Sequence, residues 1–301
     1  MEANTFLITP GKQVKIAELP TNAHEKKPDK KDLLHSLRDD IDEIADYQNK
    51  LFAESRQSLL IILQGMDASG KDSAVKHIMS GLNPQGVIVH SFKQPTSSEL
   101  SHDYLWRHYL KLPEKGQIAI FNRSHYENVL IAKVHPEIVL TERLPGIEKV
   151  EDVDAEFWFR RYQQINIFED TISRSGIHIL KFFLHVSSEE QRKRFLKRIE
   201  EKEKHWKFNY ADIVERDFWD KYQKAYEDAL NSTSTDYAPW YAIPADSKWY
   251  AHMLMGKIIL DKLKQMNPQF PTIDKEEEEK LQQAKEKLEN ENIEQGTRNK
   301  E

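Results

Sequence analysis

The chain of 301 residues contains no cysteine, and this absence removes several classes of chemistry at once. Without thiols there are no disulfides, no zinc–thiolate sites and no cysteine nucleophile. A chain without cysteine fits a reducing compartment, so we expect a cytoplasmic protein. The length allows one large domain or two modest ones, with enough residues for a substantial core.

Long apolar runs are also lacking. No stretch approaches the about 18 apolar residues of a membrane span, and the first residues lack the basic and apolar regions of a signal peptide. The formal net charge of −6 argues against general binding of nucleic acid. We therefore expect neither a membrane nor a nucleic-acid partner, and any polyanion must bind in a local basic groove.

The most informative segment is an apolar run that leads into a glycine-framed loop. The five apolar residues 59–63 favour a buried parallel strand. In a loop framed by Gly65 and Gly70, backbone N–H groups can converge on an anion, and Lys71 adds a positive charge where a helix begins. The predicted phosphate-binding residues of this loop are Gly65, Ala68, Ser69, Gly70, Lys71, Asp72 and Ser73.

The loop departs from the strict pattern G-x-x-x-x-G-K-[ST], because Asp72 stands where Ser or Thr is required. Asp67 and Asp72 would repel a bound phosphate chain unless a divalent cation lay between them. Mg²⁺ commonly bridges one or two carboxylates to phosphate oxygens. Both carboxylates are therefore candidate ligands of Mg²⁺, with Mn²⁺ as a substitute; the alternative for Asp72 is capping of the following helix.

Strands and helices alternate along most of the chain. We predict strands from residue 59 onward and over 87–92, 118–121, 178–186 and 241–243. We predict helices over 32–54, 72–82, 99–112, 155–175, 188–205, 211–231 and 247–265. This alternation indicates an α/β fold with a doubly wound parallel sheet of about five strands, whose ligands bind beyond the carboxyl ends of the strands.

The composition divides the chain into three parts. Residues 1–31 are polar and lysine-containing, and we expect an extended N-terminal arm. A single domain is expected over 32–270. Residues 271–301 are rich in Glu, Lys and Gln, which is typical of a charged helix or tail.

A second motif, Asn-Arg-Ser-His-Tyr-Glu, follows the third predicted strand at residues 122–127. Asn122 can orient a water or a phosphate oxygen, although an amide holds Mg²⁺ less strongly than a carboxylate. Arg123 can engage phosphate with two parallel hydrogen bonds. Glu127 is a candidate for contact with the metal or with the acceptor, and both alternatives stay open.

Together these segments resemble the polyphosphate kinase 2 family. The matching residues are Gly65–Asp72, Phe121–Glu127, Ser175–His178, Glu190–Gln191, Arg194–Phe195 and Tyr237–Trp240, and the resemblance covers about residues 30–270. It implies a P-loop kinase fold similar to thymidylate kinase, with a helical lid. It also implies reversible, Mg²⁺-dependent transfer of a terminal phosphoryl group from inorganic polyphosphate to a nucleotide, and a homodimer or homotetramer.

The form of the second motif resembles the subgroup that accepts both AMP and ADP, with GMP and GDP as further candidate acceptors. The expected catalytic residues are Asp67, Lys71, Asn122, Arg123 and Glu127. The expected nucleotide-binding residues are Phe92, Lys93, Tyr126 and Glu127.

A basic segment over about 188–210 is predicted to form the lid. Arg194 and Arg198 lie four residues apart and share a helix face, so we expect both to contact polyphosphate, with Lys197 and Lys204 nearby. Two alternatives remain. An ATP-dependent nucleotide or nucleoside kinase of the same fold would have a compact adenine pocket, and a non-catalytic nucleotide-binding module would bind without turnover.

Overall fold

The computed structural model describes residues 3–22 and 29–298. Its strands are β1 Leu7–Ile8, β2 Ser58–Gln64, β3 Val87–Ser91, β4 Ile118–Asn122, β5 Ile177–His185 and β6 Trp240–Pro244. Its α-helices are α1 Lys30–Glu54, α2 Lys71–Ile78, α3 Ser97–Leu100, α4 Trp106–Tyr109, α5 Ile131–Val134, α6 Glu137–Leu140, α7 Ala155–Arg174, α8 Ser188–Glu200, α9 Tyr210–Val214, α10 Trp219–Thr233, α11 Lys248–Met266 and α12 Lys275–Arg298.

The six strands form one sheet in the order β1-β6-β5-β2-β4-β3. All neighbours are parallel except β1, which pairs antiparallel with β6. The central strand β2 is buried along its whole length, as its continuous apolar sequence predicts. The α/β prediction is confirmed, and the carboxyl ends of β2, β3, β4 and β5 meet at one edge of the sheet.

The sixth strand is the main departure from the predicted sheet. Leu7 and Ile8 pair with Tyr241 and Trp240, in a region expected to be an extended arm. A two-residue strand is too short to show a period, and the burial of Phe6 and Ile16 could not be read from a polar segment. Residues 1–2 and 23–28 of that predicted arm lie outside the described residues.

Four predicted helices are shorter or broken. The helix expected over 72–82 ends at Ile78. The helix expected over 99–112 is replaced by the single-turn helices α3 and α4, and α8 ends at Glu200, before a 3₁₀ segment at Lys202–Lys207. The helix expected over 211–231 is divided into α9 and α10 by the 3₁₀ turn Glu215–Phe218. These breaks lie around the site described below, where irregular backbone lines the clefts.

The long helices α1 and α11 pack against each other closely. A Cβ placed on Gly256 of α11 would lie 2.9 Å from the Cδ1 atom of Leu37 in α1, so a larger residue here would force the Leu37 side chain to move. Asp29 caps α1 by accepting a hydrogen bond from the N–H of Lys31 (3.1 Å).

The chain divides into two compact units, Met1–Pro268 and Gln269–Glu301. The sheet belongs to the first unit. The second contains α12, whose described side chains are exposed and include ion pairs such as Lys280–Glu276. Within residues 3–22 and 29–298 no helix is both long and apolar enough to span a membrane.

Candidate active site

The phosphate loop connects β2 to α2. A Cβ on Gly65 would lie 2.8 Å from the carbonyl oxygen of Leu184 in β5, so this position requires glycine. Gly70, at φ +111°, is the residue that directly precedes α2. The N–H of Ser69 donates to the carbonyl oxygen of Met66 (3.0 Å), which closes the turn. The sequence therefore folds here as predicted, with the loop wrapped around the N-terminus of a helix.

Lys71 is buried and lies against its own loop. Its Nζ atom donates to the carbonyl oxygens of Gly65 (2.6 Å) and Met66 (3.2 Å). Burial lowers the pKa of Lys71, while the nearby carboxylates of Asp67 and Glu127 oppose that change. A phosphate on the loop would offer this ammonium group an anionic acceptor in place of two carbonyls.

The two predicted metal ligands contact the second motif directly. Asp67 Oδ1 accepts a hydrogen bond from Nη2 of Arg123 (2.8 Å), and Asp72 Oδ1 accepts one from Nδ2 of Asn122 (2.9 Å). Because β2 and β4 are neighbours in the sheet, their carboxyl ends bring the two motifs together. This is the juxtaposition that the sequence predicts.

The donor set at this edge fits a magnesium ion shared with substrate. Asp67 and Asp72 each commit one oxygen to the bonds above. In the described ranges, no three His, Cys, Asp or Glu side chains gather into a group that could hold a metal ion. A Mg²⁺ site seldom requires three protein ligands, because the ion usually binds one or two carboxylates together with substrate phosphates and water.

Arg123 is held in a backbone conformation that non-glycine residues seldom adopt. Its φ is +63°, and its N–H donates to the carbonyl oxygen of Leu63 in β2 (3.1 Å). Strain of this kind occurs at functional sites, where the surrounding structure maintains it. Its side chain lines three spaces. They are a basic groove over the phosphate loop, a small cleft lined also by Asp67 and Glu127, and a pocket, called the acceptor pocket below, that begins at Phe92 and Lys93.

The basic groove runs over the phosphate loop and has a volume of about 500 Å³. Its basic lining residues are Lys71, Lys93, Arg123, Arg194, Lys197, Arg198, Lys204, Lys207 and Lys248. Asp67 and Asp72 are the acidic residues that line it. Such an excess of positive charge suits a ligand with several phosphate groups.

The acceptor pocket adjoins this groove at Phe92, Lys93 and Arg123 and has a volume of about 320 Å³. Phe92 is buried and presents a ring to the pocket, while Lys93 is exposed at its edge. The remaining wall comes from the short helices α3 to α6, the 3₁₀ turn after β4 and the loops that connect them. Apolar walls with a few charged groups are typical of a pocket for a small molecule.

Glu127 lies between the small cleft and the acceptor pocket and lines both. Burial raises the pKa of its carboxyl group, although Arg123 and Lys71 act in the opposite direction. The carboxylate therefore faces the two cations of the loop region.

The side chain of Tyr126 does not line the acceptor pocket, although the sequence predicts that it binds nucleotide. Its side chain is fully buried, its O–H donates to Oε1 of Glu169 (2.8 Å), and it accepts a hydrogen bond from Nζ of Lys181 (2.8 Å). A buried Lys–Glu pair requires further hydrogen-bond partners, and Tyr126 supplies one. The expectation that Tyr126 binds nucleotide is therefore wrong for this conformation.

Arg194 also has a structural role in place of the expected contact with polyphosphate. All five of its N–H groups are engaged: with Glu190, and with the carbonyl oxygens of Ala68, Ser69, Ala245 and Asp246. It is 8% exposed. Arg194 therefore holds the phosphate loop to the segment after β6, whereas Arg198 remains at the groove. The expected direct contact between Arg194 and phosphate would require these bonds to break.

The remaining loop residues divide into two groups. Ala68, Gly70 and Ser73 line the groove, as expected for phosphate binding. Ser69 is buried and does not line the groove, so its side chain is not placed to bind phosphate in this conformation.

Sequence reasoning missed Gln191 and Arg216. Gln191 donates through Nε2 to the carbonyl oxygen of Asp67 (2.9 Å) and accepts a hydrogen bond from Arg216. Both line the small cleft beside Arg123. Gln191 belongs to a matching segment and could have been assigned, but Arg216 lies in a mixed-charge stretch without a recognisable pattern.

The sequence also matches a family model over most of its length. Residues 26–271 match the model for polyphosphate kinase 2. The chain belongs to the polyphosphate kinase 2 family. It is thus an enzyme of the polyphosphate kinase 2 type, as the resemblance predicted.

Known relatives agree with this membership. The chain is 41% identical over 288 residues to the ADP-polyphosphate phosphotransferase of Rhodopseudomonas palustris, an alignment that covers 96% of this chain and 99% of the relative. It is 44% identical over 224 residues to the AMP/ADP-polyphosphate phosphotransferase of Meiothermus ruber, covering 74% and 78% of the two chains.

A solved family structure is similar in fold. The crystal structure of polyphosphate kinase 2 from Arthrobacter aurescens TC1 matches with a TM-score of 0.82 and 36% sequence identity, over 93% of this chain and 95% of that one. The predicted P-loop kinase architecture is therefore confirmed.

Proposed function

We propose that this polyphosphate kinase 2 family member transfers the terminal phosphoryl group of inorganic polyphosphate to AMP and to ADP, reversibly and with Mg²⁺. The observation that carries the proposal is the meeting of a basic groove and an acceptor pocket at Arg123. One relative is named for ADP and polyphosphate, and another is named for AMP, ADP and polyphosphate. GMP and GDP are further candidate acceptors.

The proposed reaction needs positioning and charge neutralisation more than covalent help. The terminal phosphoryl group lies on the loop, where Lys71 and Arg123 stabilise its charge. An oxygen of the acceptor phosphate attacks the terminal phosphorus, and the bond to the bridging oxygen breaks, leaving polyphosphate one unit shorter. Because that attacking oxygen is already anionic, the site needs no strong general base.

Asp67 in the phosphate loop and Asp72 in the first turn of α2 would hold the magnesium ion. When bound, Mg²⁺ would supply charge neutralisation between these carboxylates and the phosphates. Asn122 would orient Asp72 through the hydrogen bond described above. The cytoplasmic location and the homodimer or homotetramer stay predictions from the sequence.

The test is to incubate the protein with polyphosphate and Mg²⁺ and with AMP, ADP or GDP in separate reactions. Products are separated by anion-exchange chromatography, with Lys71→Ala as the matched control. We expect ADP and ATP from AMP, and ATP from ADP, with product formation at least about 100-fold slower in the control and no product when Mg²⁺ is chelated. Binding of polyphosphate without any nucleotide product would instead support a non-catalytic module.

A further inference from the structure

Arg107 of α4 lies in the wall of the acceptor pocket and contacts the residues at which that pocket meets the basic groove. Its Nη2 atom donates to the carbonyl oxygen of Lys93 (2.7 Å). Its guanidinium group lies over the ring of Phe92, 5.1 Å from the ring centre. Phe92 and Lys93 line both spaces, whereas Arg107 lines the pocket and not the groove. Arg107 is therefore a cation on the acceptor side of this boundary.

The guanidinium group of Arg107 has few acceptors within the protein. Besides the bond to Lys93, its Nη1 atom lies 3.5 Å from Oε2 of Glu99, and its side chain is 12% exposed. Among the residues that the structure describes, Nε of Arg107 is buried and has no hydrogen-bond partner. Arg194, by contrast, has acceptors for all five of its N–H groups. Arg107 is thus left with N–H groups that an anion in the pocket would satisfy.

The two reacting phosphates must meet where the groove and the acceptor pocket join. In phosphoryl transfer the attacking oxygen lies next to the terminal phosphorus of the donor. A donor in the groove therefore requires the acceptor phosphate at the boundary. Lys93 and Arg123 line both spaces and are open to donor and acceptor alike. Arg107 contacts this boundary from the pocket, so it is available to the acceptor phosphate alone.

We propose that Arg107 binds the phosphate of the acceptor nucleotide and makes the pocket selective for nucleoside phosphates over nucleosides. This inference rests on the proposed function, since it assigns the pocket to the acceptor. The base and the ribose are uncharged, so the phosphate is the part of the acceptor whose charge a guanidinium group neutralises. Arg107 does not line the groove, and the donor therefore gains nothing from it.

The test is calorimetric titration of wild type and Arg107→Met with AMP and with adenosine. Methionine keeps an unbranched side chain over Phe92 but removes the charge and the donors. Arg107→Met should raise the Kd for AMP at least about 10-fold and leave the Kd for adenosine within about 2-fold of wild type. The Kd for long-chain polyphosphate should also stay within about 2-fold of wild type.

Two further variants separate the charge of Arg107 from its shape. Arg107→Lys restores the charge and should recover part of the lost affinity for AMP. Lys111→Gln is the matched control, because Lys111 lies nearby in the chain, is exposed and does not line the pocket. It should leave the Kd values for AMP, adenosine and polyphosphate unchanged.

An equal loss of AMP and adenosine binding would show that Arg107 only shapes the pocket, and would overturn the proposal. Unchanged AMP binding, the same loss in Lys111→Gln, or no AMP binding by wild type would also overturn it. If Arg107→Met does not fold, Arg107→Gln removes the same charge. Titration needs no turnover, so a lack of nucleotide product from polyphosphate would count against the proposed function alone.

Discussion

Arg123 and Asp67 form an ion pair, with 2.8 Å between Nη2 and Oδ1, that joins the motif after β4 to the loop after β2. Both side chains are partly exposed, so the pair is accessible to a ligand. A phosphate and a metal ion would each take one partner: the guanidinium would turn to phosphate and the carboxylate to Mg²⁺. The ligand-free pair thus keeps both groups in position for the reaction.

Lys71→Ala should reduce kcat at least about 100-fold, because the lost charge contact is strongest in the transition state. Steady-state rates with saturating polyphosphate measure this effect. Circular dichroism should show an unchanged fold, since the Nζ atom bonds only to carbonyls of its own loop region. Normal turnover by a well-folded variant would show that the phosphate loop takes no part in catalysis.

Asn122→Asp should change the ratio of the AMP and ADP rates. Nδ2 of Asn122 donates to Asp72, and an aspartate would replace this donor with a second negative charge beside the metal and phosphates. The added charge should disfavour some acceptor phosphate positions more than others. Initial rates with each acceptor test this, and an equal change in both would show that Asn122 affects only the metal.

Arg194→Ala should lower the stability of the fold, whereas Arg198→Ala should weaken the use of polyphosphate. Loss of Arg194 leaves loop carbonyls without donors, and we expect about 2–4 kcal/mol of destabilisation in chemical unfolding. Arg198→Ala should leave stability nearly unchanged but raise the KM for polyphosphate, with an effect that weakens as salt increases. If Arg194→Ala is as stable as wild type, its role as a clamp on the loop is wrong.

Glu127→Gln should stabilise the ligand-free protein at neutral and higher pH. Burial raises the pKa of Glu127 above its ordinary value of 4.5, so the folded protein holds this proton more tightly than the unfolded chain does. Ionisation therefore costs stability as pH rises through 4.5 toward the raised pKa. Thermal unfolding should show a higher Tm for the variant at about pH 8, and a difference that shrinks toward about pH 4. A Tm gain that is independent of pH would contradict this.

The motifs were predictable because they follow from strand order and loop chemistry. Asp67 and Lys71 directly follow a strand that five apolar residues identify, and Asn122 and Arg123 follow its neighbour. Parallel strands place such residues at one edge of the sheet without any further information. Their convergence therefore did not depend on details of packing.

The direction and depth of individual side chains could not be predicted. Tyr126 and Glu127 are adjacent on a 3₁₀ turn, yet one enters the core and the other faces a cleft. Arg194 and Arg198 share a helix face, but one helical turn of about 5.4 Å separates them. That turn places Arg194 against the loop and Arg198 at the groove.

The most direct test of the account is a comparison of phosphoryl donors followed by ³¹P NMR. Wild type, Mg²⁺ and ADP are mixed with long-chain polyphosphate, and AMP is mixed with either polyphosphate or ATP. The account predicts that polyphosphate is consumed while new nucleotide β- and γ-phosphate signals arise, and that polyphosphate is a better donor to AMP than ATP is. Faster transfer from ATP, with polyphosphate unchanged, would contradict it and identify an ATP-dependent nucleotide kinase.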